Sequence, residues 1–361
     1  MLYLPYAQAF SDEMAECIRG FVRDGGTVIA DMRPAVMNEK LAMRNNGALD
    51  KMFGIVQSIN RTPMIISDTI IVREEMEDVL EGLSITDCLV DSTVRAREGA
   101  RVMASAGEIP TVIINKFGKG MTIFLNMNMG QYEIMRLQGA EAGLREIIDW
   151  CLRSGNLEMP LISIHDADGN RASMVQFDVF KDVGNEYVGI LMDPASIKAG
   201  MKNGGNYSMK ILGGDIPPSI YDMRNKKFLG ITTQLQINLS PGKAQLFALL
   251  PYRVRSLNLK LKSSVVKVGE KVEYTVSVTP HDNETKASRH VIRVSVTGPD
   301  GKERSYFSDT FEILNGSGES SFYIGLNAPQ GRWSLKVQDV ATGKKSEFGF
   351  FVLSPETIVN E

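Results

Sequence analysis

Two short apolar runs at the start of the chain enclose one amphipathic stretch. Leu2 to Leu4 is the first run, and Thr27 to Ala30 is a second, compact enough for a strand that is covered on both faces. Between them, apolar side chains recur at the spacing of one helical face: Met14, Cys17, Ile18, Phe21 and Val22. The pattern predicts a strand, a helix and a second strand, with the two strands parallel and joined by a right-handed crossover.

Capping residues stand at both ends of the predicted helix. Ser11 supplies a hydroxyl that can accept a hydrogen bond from an unpaired backbone N–H, and Asp12 and Glu13 complement the positive end of the helix dipole. Asp24-Gly25-Gly26 predicts the helix end, because glycine adopts the left-handed conformation without a Cβ penalty. Local chemistry and apolar spacing therefore agree on this βαβ unit.

Residues 93–156 continue with strands, a hairpin and a helical stretch. Gly118-Lys119-Gly120 lies between two strand patterns, Thr111 to Asn115 and Met121 to Asn126, and predicts an antiparallel hairpin. A helical pattern then runs from Tyr132 to Leu152. Further segments have weaker patterns, with short helices around Leu41, Met43, Leu49, Met52 and Phe53, strands over Ile65 to Val72, Thr93 to Ala96 and Arg101 to Ala104, and a polar loop over Glu74 to Leu80.

The strand that ends in Asp31-Met32-Arg33, the stretch from Gly118 to Asn126 and the helical pattern after Tyr132 carry a family resemblance. Together they resemble the glutamine-amidotransferase-like trimerisation domain of glycoside hydrolase family forty-two β-galactosidases. The resemblance implies an incomplete flavodoxin/amidotransferase-like three-layer α/β domain over residues 1–156. It also implies a role in assembly, as a homo-oligomer or in association with a separate catalytic glycosidase barrel.

The rest of the chain is rich in short strands separated by turns, which is typical of β-sandwiches. Seven strand patterns over residues 157–255 predict one sandwich, and about seven more over residues 256–361 predict an immunoglobulin-like sandwich. In the second of these, alternation places Trp333, Leu335 and Val337 on one face, which we expect to be the core. The predicted fold class is therefore α/β plus all-β, in three domains.

Catalysis is not expected from the residues of the first domain. A class I glutamine amidotransferase needs a cysteine nucleophile and a nearby histidine base, but the first histidine of the chain is His165. No eightfold alternation of strands and helices is present to build the barrel on which glycosidases place two carboxyl groups. The sequence indicates no cofactor.

Two segments raise the question of a metal site. His165 to Asn170 alternates oxygen-bearing side chains, but its glycine comes fourth and Phe177 stands where a calcium loop needs a glutamate, so we predict a hairpin turn. His281 and His290 flank a polar loop, and we expect surface or strand-edge positions for both. No metal is therefore predicted.

One group of polar residues lies where open α/β sheets often bind ligands, just past the ends of strands. Asn126, Asn128, Gln131 and Tyr132 follow one strand, and Asp31 and Arg33 follow another. The candidate ligand-binding residues are Asp31, Arg33, Asn126, Asn128 and Tyr132, although packing or capping is the role that we expect for them.

Composition limits the range of partners. A formal net charge of −3 argues against general nucleic-acid binding, and no apolar run is long enough to span a bilayer. No export signal is visible, and the compartment stays undetermined. Three cysteines are present, of which Cys17 and Cys151 are expected to be buried, inert thiols.

The resemblance also departs from its family, because family members carry further strand and helix units before the strand matched by Leu2 to Leu4. We therefore expect an exposed apolar sheet edge, and a chain that is either part of a larger polypeptide or completed by another subunit. Two alternatives to the assembly role remain: a carbohydrate-binding or scaffold protein that acts alone, and a hydrolase with an unfamiliar site.

Overall fold

A computed structural model of the protein describes residues 1–59, 64–67, 71–72, 85, 88–155, 157, 160–197, 200, 204–213, 216–282 and 285–354. The chain divides into two compact units, Met1–Pro160 and Leu161–Glu361. The loop expected over Glu74 to Leu80 and the domain end expected at Asn156 lie outside the described residues. Among the described residues, no helix has both the length and the apolar character that crossing a bilayer requires.

The first unit contains ten strands and four α-helices in its described part. The strands are β1 (Leu2–Leu4), β2 (Thr27–Asp31), β3 (Ile55–Val56), β4 (Met64–Ser67), β5 (Ile71–Val72), β6 (Cys88–Asp91), β7 (Arg95–Ala96), β8 (Arg101–Ala106), β9 (Ile109–Phe117) and β10 (Gly120–Leu125). The helices are α1 (Asp12–Arg23), α2 (Asp50–Phe53), α3 (Tyr132–Gln138) and α4 (Ala142–Ser154).

Six of these strands form one mixed sheet in the order β1-β2-β10-β9-β8-β5. Strands β1, β2 and β10 are parallel, with Leu2 opposite Val28 and Met121 opposite Thr27. Strands β9 and β10 are antiparallel around the turn that contains Gly118. The parallel βαβ pairing and the hairpin are thus confirmed, and β3 with β7 and β4 with β6 form two small separate pairs.

Helix α1 begins as the capping signals predict, but it buries a different face. Ser11 Oγ accepts from the backbone N–H of Met14 at 3.1 Å. The helix faces the sheet with Ala15, Ile18 and Val22, which are all buried. Around the helix axis, this buried face is rotated by roughly 100°, the angle of one residue, from the side that carries Met14, Cys17 and Phe21. The expectation that Met14, Cys17 and Phe21 are buried is therefore wrong, because the small side chain of Ala15 lies against the sheet instead.

Apolar cores lie on both faces of the six-stranded sheet. One combines α1 with Leu49, Met52 and Phe53, and the other combines α4 with Leu144, Ile147 and Cys151. Two helical layers with a sheet between them make a three-layer α/β unit. Of the remaining apolar residues expected to cover the sheet, Leu41 and Met43 are exposed.

In its described residues, the second unit begins with eight strands in two sheets. They are β11 (Ile162–His165), β12 (Val175–Asp182), β13 (Asn185–Met192), β14 (Gly205–Ile211), β15 (Ser219–Asp222), β16 (Lys227–Ile231), β17 (Gln234–Leu239) and β18 (Gln245–Leu250). The sheets have the orders β11-β14-β17 and β12-β13-β18-β15-β16 and enclose a shared apolar core. Strand β16 has no counterpart in the sequence pattern.

Eight more strands follow in the described part of this unit. They are β19 (Val254–Leu261), β20 (Val265–Lys267), β21 (Lys271–Pro280), β22 (His290–Thr297), β23 (Asp309–Ile313), β24 (Ser317–Tyr323), β25 (Gly331–Asp339) and β26 (Lys345–Leu353). They form sheets of order β19-β21-β24 and β20-β26-β25-β22-β23. Trp333, Leu335 and Val337 are fully buried between them, which confirms the core face predicted from alternation.

The apolar core of these eight strands continues into the preceding ones. Tyr221, Ala248 and Leu250 belong to the same buried cluster as Val294, Trp333 and other residues of the later strands. The hydroxyl of Tyr221 accepts from the backbone N–H of Val254 at 2.8 Å. The second unit is therefore a pair of sheet stacks that share one buried junction.

Candidate functional site

Two strand ends of the first unit, at Asp91 and Asn126, meet in a buried polar cluster, and a third strand ends nearby at Asp31. Strand β2 ends at Asp31, β6 ends at Asp91, and Asn126 directly follows β10. None of these three residues is more than 1% exposed. The residues at these three strand ends therefore lie below the molecular surface.

Asn126 binds two other strands through all of its polar atoms. Its Oδ1 accepts from the backbone N–H of Asp91 at 3.1 Å, and its Nδ2 donates to the carbonyl oxygens of Asp91 at 2.9 Å and Pro110 at 3.0 Å. These contacts join the end of β10 to β6 and to β9. With its hydrogen bonds made inside the protein, the amide has a structural role as a strand-end clamp.

Arg33 lies in the same cluster and is held by an ion pair. Its Nη1 lies 2.9 Å from Asp91 Oδ2, with both side chains almost fully buried. Nη1 also donates to the Ser58 carbonyl oxygen at 3.2 Å, and Nη2 donates to the Ile59 carbonyl oxygen at 3.1 Å. The other carboxylate oxygen of Asp91 accepts from Thr93. Arg33 has a φ of 57°, a conformation that non-glycine residues rarely adopt. The ion pair and the two carbonyl contacts hold that strained backbone in place.

Asp31 is satisfied by neighbours near the edge of the sheet. Its Oδ1 accepts from the backbone N–H of Tyr6, and its carboxyl group also receives hydrogen bonds from the Met129 backbone and the Tyr3 hydroxyl. Burial raises the pKa of the Asp31 carboxyl, and these hydrogen bonds oppose that rise. Burial, with a smaller contribution from the Asp31 charge, also raises the pKa of Tyr3.

The two remaining candidates have separate local roles. Asn128 Oδ1 accepts from the backbone N–H of Gly130 at 3.0 Å and caps the short 3₁₀ helix Met129–Gln131. The Tyr132 hydroxyl accepts from Arg145 Nε at 3.4 Å.

The structure thus joins Arg33 and Asn126 through Asp91 and leaves the other candidates outside that cluster. Asp91 was missed in the sequence, although it ends a short apolar strand, Cys88–Asp91, just as Asp31 ends β2. Within the described part of the chain, no group of three or more metal-ligating side chains is present. The polar groups of the cluster bind one another and neighbouring strands, so the cluster acts as an internal fastener, that is, a buried network with a structural role.

A second feature of the first unit lies on its surface, at the β1 edge. Among the described strands, none pairs with the outer side of β1. Leu2 and Tyr3 on this strand are 38% and 42% exposed, and on helix α1 Met14 is 51% and Phe21 42% exposed. We call these four residues together with the exposed Cys17 the β1–α1 surface.

The two parts of the β1–α1 surface face the same side of the unit. On the opposite flank of α1, Arg19 donates to the carbonyl oxygen of Ala48, just before α2, at 2.8 Å. Helix α2 itself lies over β9 and β10, where Thr122 Oγ1 donates to the Met52 carbonyl oxygen. Since those strands are on the interior side of the sheet, the flank with Met14, Cys17 and Phe21 faces outward, toward the β1 edge.

The histidines of the second unit occupy structural positions. His165 contacts Ser163 Oγ and the Gly169 carbonyl oxygen, each at 3.0 Å, in a turn closed by Asp166, as predicted. His290 is fully buried between Asp339 and Tyr252, so the expected surface or edge position is wrong for it. His281 is exposed.

An aspartate, histidine and hydroxyl in series can activate a nucleophile. Here His290 and Asp339 have no exposed surface, and Tyr252 is only 6% exposed. A substrate therefore has no access to this group.

Tryptophan side chains can bind carbohydrate by stacking on a sugar ring, but both tryptophans of this chain are internal. Trp150 is 8% exposed and Trp333 is fully buried. Of the two cysteines expected to be buried, Cys151 is buried and its pKa is raised to about 12 by desolvation, whereas Cys17 is exposed. The prediction for Cys17 fails for the same reason as that for Met14: α1 turns this side of the helix outward.

Comparisons with known proteins match the first unit to a family. A family model of the β-galactosidase trimerisation domain matches residues 1–144. A search of curated proteins gave no match.

Solved structures similar to the chain include several β-galactosidases. One from Bacillus circulans sp. alkalophilus has 16% sequence identity and a TM-score of 0.48, with 69% of this chain and 33% of that chain covered. One from Rahnella sp. R3 has 16% identity and a TM-score of 0.44, with 68% and 32% covered. A catalytic mutant of Gan42B, a GH42 β-galactosidase from G. stearothermophilus, has 14% identity and a TM-score of 0.46, with 69% and 31% covered.

The chain spans about a third of the length of these structures. The family model and the three-layer α/β unit with its parallel β1-β2-β10 core concern the same part of the chain. Residues 1–144 of this chain are therefore similar to the β-galactosidase trimerisation domain.

Proposed function

We propose that this chain is the non-catalytic assembly and accessory portion of a β-galactosidase-like glycoside hydrolase whose sugar chemistry belongs to a separate catalytic barrel. A trimerisation domain implies association into oligomers. The observation that carries the proposal for this chain is the β1–α1 surface, where exposed apolar side chains lie beside a strand edge with which none of the described strands pairs.

The physical argument rests on the cost of leaving such a surface in water. An unpaired strand offers a row of backbone donors and acceptors to another chain. Exposed apolar side chains beside it add hydrophobic stabilisation of roughly 25 cal/mol for each Å² that becomes buried on association. Burying the β1–α1 surface against a second copy of this chain therefore satisfies both the backbone and the apolar flank of α1.

A non-catalytic role is supported by the internal hydrogen bonds and the burial of the polar clusters. The strand-end cluster of Arg33, Asp91 and Asn126 is occupied by its own hydrogen bonds, and the buried His290 group has no path for a substrate. The first 164 residues contain no histidine to act as a base. An accessory role needs none of these groups to be reactive.

We further propose three domains with the boundaries predicted from the sequence, residues 1–156, 157–255 and 256–361. The first would be amidotransferase-like and the third immunoglobulin-like. The three-layer arrangement of the first unit and the three- and five-stranded sheets of the last eight strands support these assignments.

Light scattering of the full chain at micromolar concentration tests the assembly role. We expect a mass above that of the monomer, and we expect Met14→Glu to shift the protein toward the monomer, because a charge there must be desolvated when the β1–α1 surface is covered. Met14 is half exposed, so the substitution should leave the fold intact. A monomer of the unsubstituted chain would overturn the proposal.

Ile134→Glu provides the matched control, because Ile134 is 59% exposed on α3, outside the β1–α1 surface. This variant should keep the mass of the unsubstituted chain. Equal dissociation of both variants would place the interface elsewhere. A panel of aryl glycosides should give no turnover with any of the three proteins, and hydrolysis by the chain alone would contradict the non-catalytic role.

A further inference from the structure

The junction between the two sheet stacks of the second unit contains a buried chain of hydrogen bonds centred on His290. Its Nδ1 lies 3.1 Å from Asp339 Oδ1, and its Nε2 lies 2.8 Å from the Tyr252 hydroxyl oxygen. That hydroxyl also contacts Ser288 Oγ at 2.7 Å, and Ser288 Oγ contacts Asn185 Oδ1 at 2.6 Å. The chain thus runs from β25 through β22 to β13.

The orientation of Asn185 fixes where the protons lie. Its Nδ2 donates to the carbonyl oxygen of Arg289 at 2.8 Å, so Oδ1 is the atom that faces Ser288. A carbonyl oxygen cannot donate, and the Ser288 hydroxyl must therefore give its only proton to Asn185. Ser288 Oγ is then left as an acceptor for the Tyr252 hydroxyl.

The Tyr252 hydroxyl consequently has no proton left to donate to His290. It gives its proton to Ser288 Oγ and accepts from the Ser288 backbone N–H at 2.7 Å, which leaves one lone pair for His290. The contact of 2.8 Å to His290 Nε2 then requires a proton on Nε2. A neutral imidazole carries one proton, so Nδ1 would face the Asp339 carboxylate without one.

We propose that His290 is a doubly protonated imidazolium, paired with the Asp339 carboxylate, and that it acts as a proton-dependent lock between the two sheet stacks. The other carboxylate oxygen of Asp339 accepts from the backbone N–H and the hydroxyl of Thr342, which satisfies the negative partner. A buried ion pair is tolerated when both members are hydrogen-bonded in this way.

Three tyrosines and an arginine, which lie on elements packed around this pair, leave a positive charge on His290 unopposed. Tyr187, Tyr221 and Tyr252 all lie within the electrostatic influence of Asp339, and burial raises the pKa of each. They therefore stay neutral. The adjacent Arg289 is engaged by Asp182 at 3.2 Å and Glu312 at 3.6 Å, so its charge is balanced by two acidic groups.

The lock has a consequence for stability. The hydrogen bonds at both ring nitrogens hold the second proton of His290 in the folded protein, whereas a solvated histidine in the unfolded chain loses it as the pH rises, so the unfolded state binds one proton fewer. Stability then falls as the pH rises. The folding equilibrium constant should fall up to tenfold for each pH unit, until the folded protein also loses that proton.

Nuclear magnetic resonance of the full chain with ¹⁵N-labelled histidine rings tests the protonation state directly. The chain has three histidines, and the variants His165→Gln and His281→Gln assign the remaining signal to His290 without altering it. At about pH 8 we expect N–H protons on both ring nitrogens of His290. A ring with a single proton at this pH would overturn the proposal.

The pH dependence of unfolding provides an independent measurement. Tyr252→Phe removes the oxygen that requires the Nε2 proton, so its folding constant should fall less steeply between about pH 7 and 9. Tyr221→Phe removes another buried hydroxyl from the same junction, one that does not touch His290, and should keep the original slope. Equal slopes in all three proteins would show that His290 holds no additional proton.

Discussion

Replacing Asn126 by alanine separates the structural role of the strand-end cluster from a ligand-binding role. The side chain makes three buried hydrogen bonds, with the N–H and carbonyl groups of Asp91 and the carbonyl of Pro110. Leaving a buried backbone group without its partner costs about 1–3 kcal/mol. Three backbone groups lose their partner in Asn126→Ala, and the surrounding structure can relax around them in part. We therefore expect this substitution to lower the free energy of unfolding of the first unit by roughly 3–6 kcal/mol.

Urea unfolding at 25 °C measures this effect, because each unit contains a single tryptophan. Trp150 lies in the first unit and Trp333 in the second, so Trp150 fluorescence in a Trp333→Phe background follows the first unit by itself. Asn128→Ala is the matched control. It removes one partly exposed cap and should cost about 1 kcal/mol.

A residue that serves only a ligand can be truncated with little loss of stability. If Asn126→Ala destabilises the first unit by less than about 1 kcal/mol, no more than its control, the reasoning that the cluster is an internal fastener is refuted. The ligand-binding interpretation of these strand ends would then regain its place.

Three other predictions concern the first unit. Asp50 is buried and its pKa is raised by desolvation from 3.8 to about 6, so the folded state holds a proton that the unfolded state loses. Stability should therefore fall by roughly 3 kcal/mol as the pH rises from about 3 to about 7. Asp50→Asn should remove this fall in urea titrations, and an unchanged pH profile would contradict the prediction. In the Met14→Glu variant, in which the β1–α1 surface should be uncovered, a thiol reagent at about pH 8 should modify Cys17 and spare Cys88 and Cys151, whose pKa values burial raises to about 11 and 12. Mass spectrometry after digestion shows which cysteine reacted, and labelling of all three would refute the prediction. Ser11→Ala should cost about 1 kcal/mol through the lost cap of α1, and a loss below a few tenths would show that the cap contributes nothing.

The contacts that close the strand-end cluster could not be predicted from the sequence. Arg33 and Asp91 are 58 positions apart, and Asn126 lies 35 positions beyond Asp91. Strand ends could be located from apolar runs, which is why Asp31, Arg33 and Asn126 were found as a group. Local patterns carry no information about which strand end meets which, and Asp91 was therefore missed.

The buried position of His290 escaped prediction for a related reason. Its partners Tyr252 and Asp339 are 38 and 49 positions away, and a polar loop nearby suggested a surface location. Histidine counts as a polar residue in a hydrophobicity pattern, which therefore predicts exposure. Only the packing of the two sheet stacks shows that His290 is buried.

The sequence by itself determined the elements whose signals are local. The cap at Ser11, the parallel pair β1 and β2, the hairpin around Gly118 and the core face of β25 follow from hydrogen-bonding side chains, glycine conformations and periodicity, which act over a few residues. Only the tertiary structure decided which flank of α1 is exposed, because Ala15 and Phe21 lie on a helix whose rotation is set by the sheet beneath it. That rotation turns Met14, Cys17 and Phe21 outward and creates the apolar surface on which the proposed assembly depends.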